Sequence, residues 1–300
     1  MLSAARPRAD KQAVGVLLVL ASTVAFAVGP TAAKIAFDNG ANTLTVVALR
    51  GVVAAALMAL LILAFRQGFG IHRAAWRWCL CCGAFQAAAV YGFIGSVALV
   101  PVGVAVLVFF THPLLVAAMA HRSGGERLTA RKLLLAFAVL AGLAAALGPE
   151  AGALDLSGVA LAALASLAMC GMVFCTGRAQ ERATSAQVNF YATAVGSAAF
   201  AALATALGGW ASPSNAAGWL GVLGAGVGIG VGLLFFFAAL RHLSPARATM
   251  LSSVEPLVSI ALAAAVLGER LRPEQWAGAA LVVAALALFE AAGRERRADG

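Results

Sequence analysis

The chain has 300 residues, of which 62% are hydrophobic and only 11% are charged, whereas about a quarter of the residues of a soluble domain are charged. So few polar side chains could not cover a globular surface, which excludes a soluble fold and indicates a polytopic membrane protein in contact with lipid. The net charge of +9 would suggest nucleic-acid binding in a soluble protein. Here we attribute it to basic loops and predict no nucleic-acid partner.

Ten apolar segments are long enough to cross a bilayer, since a span needs about 20 residues at 1.5 Å per residue. Charges and turn residues separate them, and every connection is short. The predicted helices cover residues 13–36, 44–65, 75–98, 101–121, 131–148, 156–178, 186–207, 217–240, 244–267 and 275–292. This pattern predicts an all-α membrane protein with ten transmembrane helices.

Lys and Arg define the predicted orientation, because basic residues concentrate in cytoplasmic segments. With the N-terminus inside, 17 of the 21 Lys and Arg side chains lie on the cytoplasmic side. An even number of spans then returns the chain to the same side. We therefore expect a multi-pass protein with both termini in the cytoplasm.

The chain contains one of its stretches twice. Moved back by 143 positions, residues 244–278 align without a gap with the stretch that starts at Pro101. Glu255-Pro256-Leu257 then falls on His112-Pro113-Leu114, and the Gly-Glu-Arg-Leu of 268–271 falls on that of 125–128. Such a duplication is typical of repeat architectures.

Each repeat holds five helices, an odd number, so the second copy enters the membrane from the opposite side. Two inverted repeats of this kind recur in secondary transporters, with the substrate site near the midplane between the repeats. The predicted divisions are an N-terminal tail (1–12), a first repeat (13–148), an outer linker (149–155), a second repeat (156–292) and a C-terminal tail (293–300).

The order of these motifs resembles the drug/metabolite transporter superfamily, in its EamA-type branch of ten helices. The matching features are Leu49-Arg50 at the start of helix two, Val100-Pro101-Val102 and Leu243-Ser244-Pro245 before helices four and nine, Pro113 and Glu255-Pro256 inside them, Gly-Glu-Arg-Leu after each, and Gln275-x-x-Gly278 in the last helix. The resemblance covers nearly the whole chain.

The resemblance implies a secondary transporter of the bacterial inner membrane that works by alternating access. It places the cavity between helices 1, 3, 4, 6, 8 and 9, and it implies a small-molecule cargo, such as an amino acid or similar amphipathic metabolite, moved outward. Within this family, the chain resembles aromatic amino acid exporters. Export of lipophilic drugs is the alternative within the same family.

Glu255 is the leading candidate for a substrate-binding residue, because it lies near the middle of helix nine. An ionised group there is costly unless it faces water or the protein interior, so it would bind a substrate ammonium or a proton. The alternative is a structural carboxylate that satisfies backbone freed by Pro256. His112 holds the equivalent position in the first repeat and is either a proton-sensitive partner of Glu255 or a packing histidine.

Further side chains could line a cavity for an amphipathic or aromatic solute, although residues of these types more often pack against other helices or contact lipid. Helix three contributes an aromatic and an amide side chain, the second repeat contributes a further aromatic one, and helices one and six each contribute a serine and a large apolar side chain. These candidates are Tyr91, Gln86, Ser22, Phe26, Ser166, Met169 and Phe235.

The predicted hinges are prolines and glycines inside spans. Proline frees a carbonyl one turn back, so Pro30, Pro113 and Pro256 make bending plausible, and Gly224 and Gly228 permit close helix contact. Arg50, near the outer end of helix two, would hold a carboxylate or extend its side chain to the membrane surface.

No nucleotide-binding loop, zinc-protease motif or nucleophile elbow is present in the sequence, and we predict no cofactor, no metal site and no catalytic residue. One rival reading is a membrane-embedded enzyme that uses Glu255 and His112 as acid and base. Another is a scaffold or sensor that binds a partner without flux. The oligomeric state is left open.

Overall fold

The computed structural model describes residues 6–123, 129–147, 155–267 and 272–298. Within these ranges the chain is helical, without strands. The helices are α1 (Arg6–Asp38), α2 (Thr43–Ala64), α3 (Arg73–Val97), α4 (Val102–Phe109), α5 (His112–Arg122), α6 (Ala130–Leu147), α7 (Leu156–Gln180), α8 (Ser185–Ala206), α9 (Ala216–Ala239), α10 (Pro245–Ser252), α11 (Glu255–Leu267) and α12 (Pro273–Ala298).

The predicted all-α membrane architecture is confirmed. Among the described residues, eight segments are long and apolar enough to span a bilayer, and Pro273–Phe289 forms a shorter apolar helix. The predicted fourth span is one of these eight segments and is built from two consecutive helices, α4–α5. The predicted ninth span is likewise built from two helices, α10–α11, and is not among the eight. Both Gly-Glu-Arg-Leu copies and most of the predicted linker 149–155 lie outside the described residues.

The chain forms two compact units that do not follow the two repeats. The first unit comprises Met1–Ala88 and Gly171–Leu243, and the second comprises Ala89–Cys170 and Ser244–Gly300. Each unit therefore takes helices from both repeats, and α3 and α7 are each divided between the units.

In the first unit, α9 packs against both α1 and α2 through its glycines. A Cβ atom on Gly221 would lie 2.6 Å from the carbonyl oxygen of Ala32, and one on Gly228 would lie 2.8 Å from that of Ala25. On the α2 side, a Cβ atom on Gly226 would lie 2.9 Å from the carbonyl oxygen of Arg50. Only glycine allows helix backbones to approach this closely.

Polar side chains fasten both ends of the α2–α8 pair in the first unit. At the start of α2, Asn42 accepts a hydrogen bond from Thr45 N (2.9 Å) and donates one to the carbonyl oxygen of Gly209 (2.5 Å). At the start of α8, Thr184 accepts from Gln187 N (3.2 Å), and the Gln187 amide donates to the carbonyl oxygen of Gly68 (2.6 Å). Asn42 and Thr184 lie 142 positions apart, so the duplication includes these two helix caps.

In the second unit, α6 and α12 pack directly through Gly142 and Gly278. A Cβ atom on Gly278 would lie 2.5 Å from the carbonyl oxygen of Gly142 and 2.8 Å from the carbonyl carbon of Ala145. A core of buried apolar side chains continues from this contact. It includes Phe110, Leu143, Met250, Val282 and Leu286.

Gly278→Ala should destabilise the protein, because the added methyl group meets backbone atoms that cannot move aside without separating α6 from α12. Overpacking of this kind costs about 1–3 kcal/mol. The midpoint of thermal unfolding in detergent should fall accordingly.

The matched control is Gly177→Ala, since a Cβ atom on Gly177 in α7 would meet nothing within 4 Å. That change should leave the unfolding midpoint equal or slightly higher, because alanine favours helix. Equal midpoints for the two variants would contradict the close packing of α6 and α12.

Candidate functional site

The fourth and ninth spans are interrupted at equivalent positions. α4 ends at Phe109 and α5 begins at His112, while α10 ends at Ser252 and α11 begins at Glu255. Both breaks leave two residues between the helices, and the two breaks lie 143 positions apart. Each second helix therefore begins with an ionisable residue.

The backbone hydrogen bonds at the two breaks are also equivalent. Thr111 N donates to the carbonyl oxygen of Val108 (3.2 Å), as Val254 N does to that of Leu251 (3.3 Å). Pro113 and Pro256 occupy the second position of their helices, where the missing N–H removes no helical hydrogen bond. The sequence repeat thus extends to the local geometry of the breaks.

His112 is buried, with a 1% exposed side chain. Its Nδ1 lies 3.0 Å from the carbonyl oxygen of Phe109, so Nδ1 carries the proton and donates it. Its Nε2 is buried and has no hydrogen-bond partner among the described residues. The rings of Phe109 and Phe110 lie 5.0 and 5.6 Å from the imidazole. The break in the fourth span therefore holds a hydrogen-bonding nitrogen in aromatic surroundings.

Glu255 is partly exposed at the first position of α11. A carboxylate at this position is favoured by the positive end of the helix dipole. Within the described chain it forms no ion pair or side-chain hydrogen bond, and it is not bonded to the unpartnered His112 Nε2. The carboxylate is thus available to an additional group.

Thr111 connects the break to α7. Its hydroxyl group contacts the carbonyl oxygen of Val108 (2.7 Å) and the hydroxyl of Ser166 (2.9 Å). Ser166, a candidate from the sequence, is buried and uses its hydroxyl group in this contact. Thr111 was not predicted from the sequence. A threonine next to a mid-span His-Pro was the signal for it, because such hydroxyls bond to freed carbonyls.

Two hydroxyl side chains of α10 also bond to backbone carbonyl oxygens, although Thr111 itself corresponds to Val254 in the second repeat. Thr249 donates to the carbonyl oxygen of Pro245 (2.9 Å), and Ser252 donates to that of Thr249 (2.7 Å). Both side chains are buried. Hydroxyl groups therefore satisfy backbone acceptors before the break in the ninth span. These two hydroxyl contacts were not predicted from the sequence either.

The remaining candidates of the second unit are less enclosed. Tyr91 is 56% exposed and Met169 is partly buried. The neighbouring Phe93 ring lies 5.4 Å from Phe109, which extends the aromatic surroundings of His112.

In the first unit, the candidates mostly have structural contacts. Ser22 is buried and donates to the carbonyl oxygen of Val19 (2.7 Å). Phe26 lies against Gly232 of α9, while Gly224 and Gly228 approach α1. Gln86 has a buried Oε1 without a hydrogen-bond partner among the described residues. Phe235 is partly buried, and α1 continues through Pro30 to Asp38.

Comparison with known proteins identifies the family. Residues 13–148 and 156–290 each match the model of the EamA-like transporter family. The chain belongs to the EamA-like transporter family. This confirms the resemblance to the drug/metabolite transporters, and it establishes a multi-pass membrane protein of a family of transporters rather than enzymes.

Solved structures share the fold of this EamA-like chain. One crystal structure of a protein has a TM-score of 0.81 and 18% identity, covering 93% of this chain and 98% of its own. No curated protein matches the sequence. Among the described residues, no group of three or more His, Cys, Asp or Glu side chains is arranged to hold a metal ion.

Thr111→Val should destabilise the protein, because it leaves the buried Ser166 hydroxyl without its side-chain partner. An unsatisfied buried polar group costs about 1–3 kcal/mol. Thr111→Ser keeps the hydroxyl and should unfold near the wild-type temperature.

A double-mutant cycle isolates the contact. Ser166→Ala in the Thr111→Val background should cost little more than Thr111→Val alone, as measured by thermal unfolding. Additive losses from the two substitutions would show that the hydroxyl pair does not contribute to stability.

Proposed function

We propose that this EamA-like protein is a secondary transporter that exports amino acids or similar small amphipathic metabolites by alternating access across the bacterial inner membrane, with both termini in the cytoplasm. The observation that carries the proposal is the pair of equivalent helix breaks, each followed by an ionisable residue. Broken helices are a common way to form substrate sites near the bilayer midplane.

The breaks lie part-way through their spans. About eight residues of helix precede each break, roughly 12 Å at 1.5 Å per residue, so His112 and Glu255 are deep within spans of membrane length. An ionisable residue at this depth is expensive and usually serves a solute or proton pathway. Two such residues in one apolar chain therefore favour transport of a polar or charged solute.

The chemistry near the first break suits an amphipathic solute. His112 Nε2 offers one hydrogen-bonding atom beside the rings of Phe93, Phe109 and Phe110. Glu255 offers a carboxylate, which would bind an ammonium group or a proton. A binding site of this kind combines apolar contact with a few polar groups that orient the ligand.

Solute counterflow in proteoliposomes tests transport directly. Vesicles loaded with one unlabelled amino acid should take up the labelled form transiently above equilibrium, without an ion gradient and regardless of protein orientation. We expect this overshoot for at least one chemical class of amino acid. No overshoot for any amino acid, with correctly folded protein, would contradict the proposed cargo, and lipophilic cations would then be tested in the same way.

A pore-forming peptide provides the control. Counterflow should vanish when the vesicles become leaky, because it depends on a sealed compartment. A membrane-embedded enzyme that uses Glu255 and His112 would instead convert its substrate in leaky vesicles and in detergent. Turnover that survives permeabilisation would therefore overturn the transport proposal.

Glu255→Gln tests whether this carboxylate carries the coupling proton. Glutamine keeps the size of the side chain but cannot exchange a proton, so flux driven by a pH gradient should fall at least about tenfold. Counterflow, which needs no net proton movement, should continue.

Glu274→Gln is the matched control, because Glu274 is an exposed carboxylate in the first turn of α12. This variant should retain wild-type flux in both assays. If Glu255→Gln also retained gradient-driven flux with an unchanged pH profile, Glu255 would not couple protons.

A further inference from the structure

Arg50 lies inside a membrane span, eight residues after Asn42, the residue that caps α2. At 1.5 Å per residue this is about 12 Å from the start of the helix. The side chain is partly buried, not exposed. An arginine at this depth is costly unless it meets water or an anion.

Arg50 does not share the exposed face of α2. Val52 and Leu63, which are 55% and 60% exposed, mark that face, and at about 100° per residue Val52 lies about 160° around the helix from Arg50. Arg50 instead shares a face with Ala54 and Leu57, at i+4 and i+7. A Cβ atom on Gly230 of α9 would lie 3.2 Å from the Cβ of Ala54 and 3.5 Å from Leu57. Arg50 therefore lies on the side of α2 that packs against α9, which argues against extension of its side chain into lipid headgroups.

The guanidinium group of Arg50 has no hydrogen-bond or ion-pair partner among the described residues. Asp38, at the end of α1, is exposed and does not pair with it. By contrast, Arg241 in the same unit donates to the carbonyl oxygen of Ala183 (2.6 Å). A guanidinium group has five N–H donors and no acceptor, so Arg50 presents unused donors beside an apolar helix face.

We propose that Arg50 binds the carboxylate group of the transported solute and selects acids over their uncharged counterparts. The planar guanidinium group matches a carboxylate with two parallel hydrogen bonds, which lysine cannot reproduce. The proposal rests on the proposed function, because it specifies one chemical group of the cargo. It is also independent of Glu255, which would recognise a cation or a proton.

The test compares acids with their own amides, which differ only in the negative charge. The probes are L-phenylalanine with L-phenylalaninamide, and benzoate with benzamide, a pair that lacks the ammonium group. Binding is measured in detergent from the ligand-dependent rise of the thermal unfolding midpoint, so no sealed compartment is needed. The wild type should bind each acid at least about tenfold more tightly than its amide, as expected for hydrogen bonds to charged groups.

Arg50→Gln should reduce the preference for acids to within about threefold, and Arg50→Lys should retain part of it. Lys34→Gln is the matched control, because it removes one positive charge from an exposed position in α1, near the end that leads into α2. It should keep the wild-type preference. If Arg50→Gln does not fold, Arg50→Lys decides, with a loss of at least about threefold expected.

Three results would overturn the proposal. They are equal binding of acid and amide by the wild type, absence of any acid-dependent shift, and an acid preference that survives in Arg50→Gln or is lost equally in Lys34→Gln. A further outcome is that phosphatidylglycerol stabilises the wild type but not Arg50→Gln while neither protein prefers acids. That result would show that the guanidinium group binds a lipid phosphate instead of the solute. Counterflow of neutral or cationic solutes in any of these cases would leave the proposed function standing.

Discussion

The need to satisfy every backbone N–H and C=O within the hydrocarbon layer governs this structure. Lipid offers no hydrogen bonds, so spans must be helical, and a break is tolerated only where other groups replace the missing bonds. At both breaks, a backbone hydrogen bond between residues three positions apart closes the turn. Thr111, Thr249 and Ser252 supply hydroxyl contacts to nearby carbonyl oxygens. The breaks are therefore regular, hydrogen-bonded parts of the fold. They place His112 and Glu255 at the first position of a helix.

Close backbone packing is the second requirement, because lipid chains are as apolar as the side chains and burial between helices gains little. Glycines at 221, 226 and 228 bring α9 against α1 and α2, while Gly142 and Gly278 join α6 to α12. Polar side chains then fasten the loops, as Asn42 and Gln187 do at opposite ends of the α2–α8 pair. Backbone contacts thus hold each unit together, and polar attachments of the loops add to them in the first unit.

Much of the fold was predictable, because hydropathy and length determine where a chain can cross a membrane. Pro113 and Pro256 were predicted as hinges, and the structure has a helix break just before each of them. The contacts of individual side chains were less predictable, since sequence spacing does not reveal which neighbour a helix face meets. Ser166 was predicted as a candidate cavity residue, and its contact with Thr111 could not be read from the sequence. Arg50 was predicted to hold a carboxylate or to extend to the membrane surface, and only the structure shows that it lies on the α9 side of α2.

The two repeats have kept their geometry and diverged in their chemistry. The backbone bonds at the breaks recur 143 positions apart, and the caps of α2 and α8 recur 142 positions apart. At the same offsets, however, His112 of the first copy corresponds to Glu255 of the second, and Arg50 corresponds to the buried Ala192. Residues required by the fold should recur in both copies, because each copy must satisfy the same backbone groups. Side chains whose chemistry differs between the two copies are not explained by that requirement, and substrate recognition is inferred from these side chains.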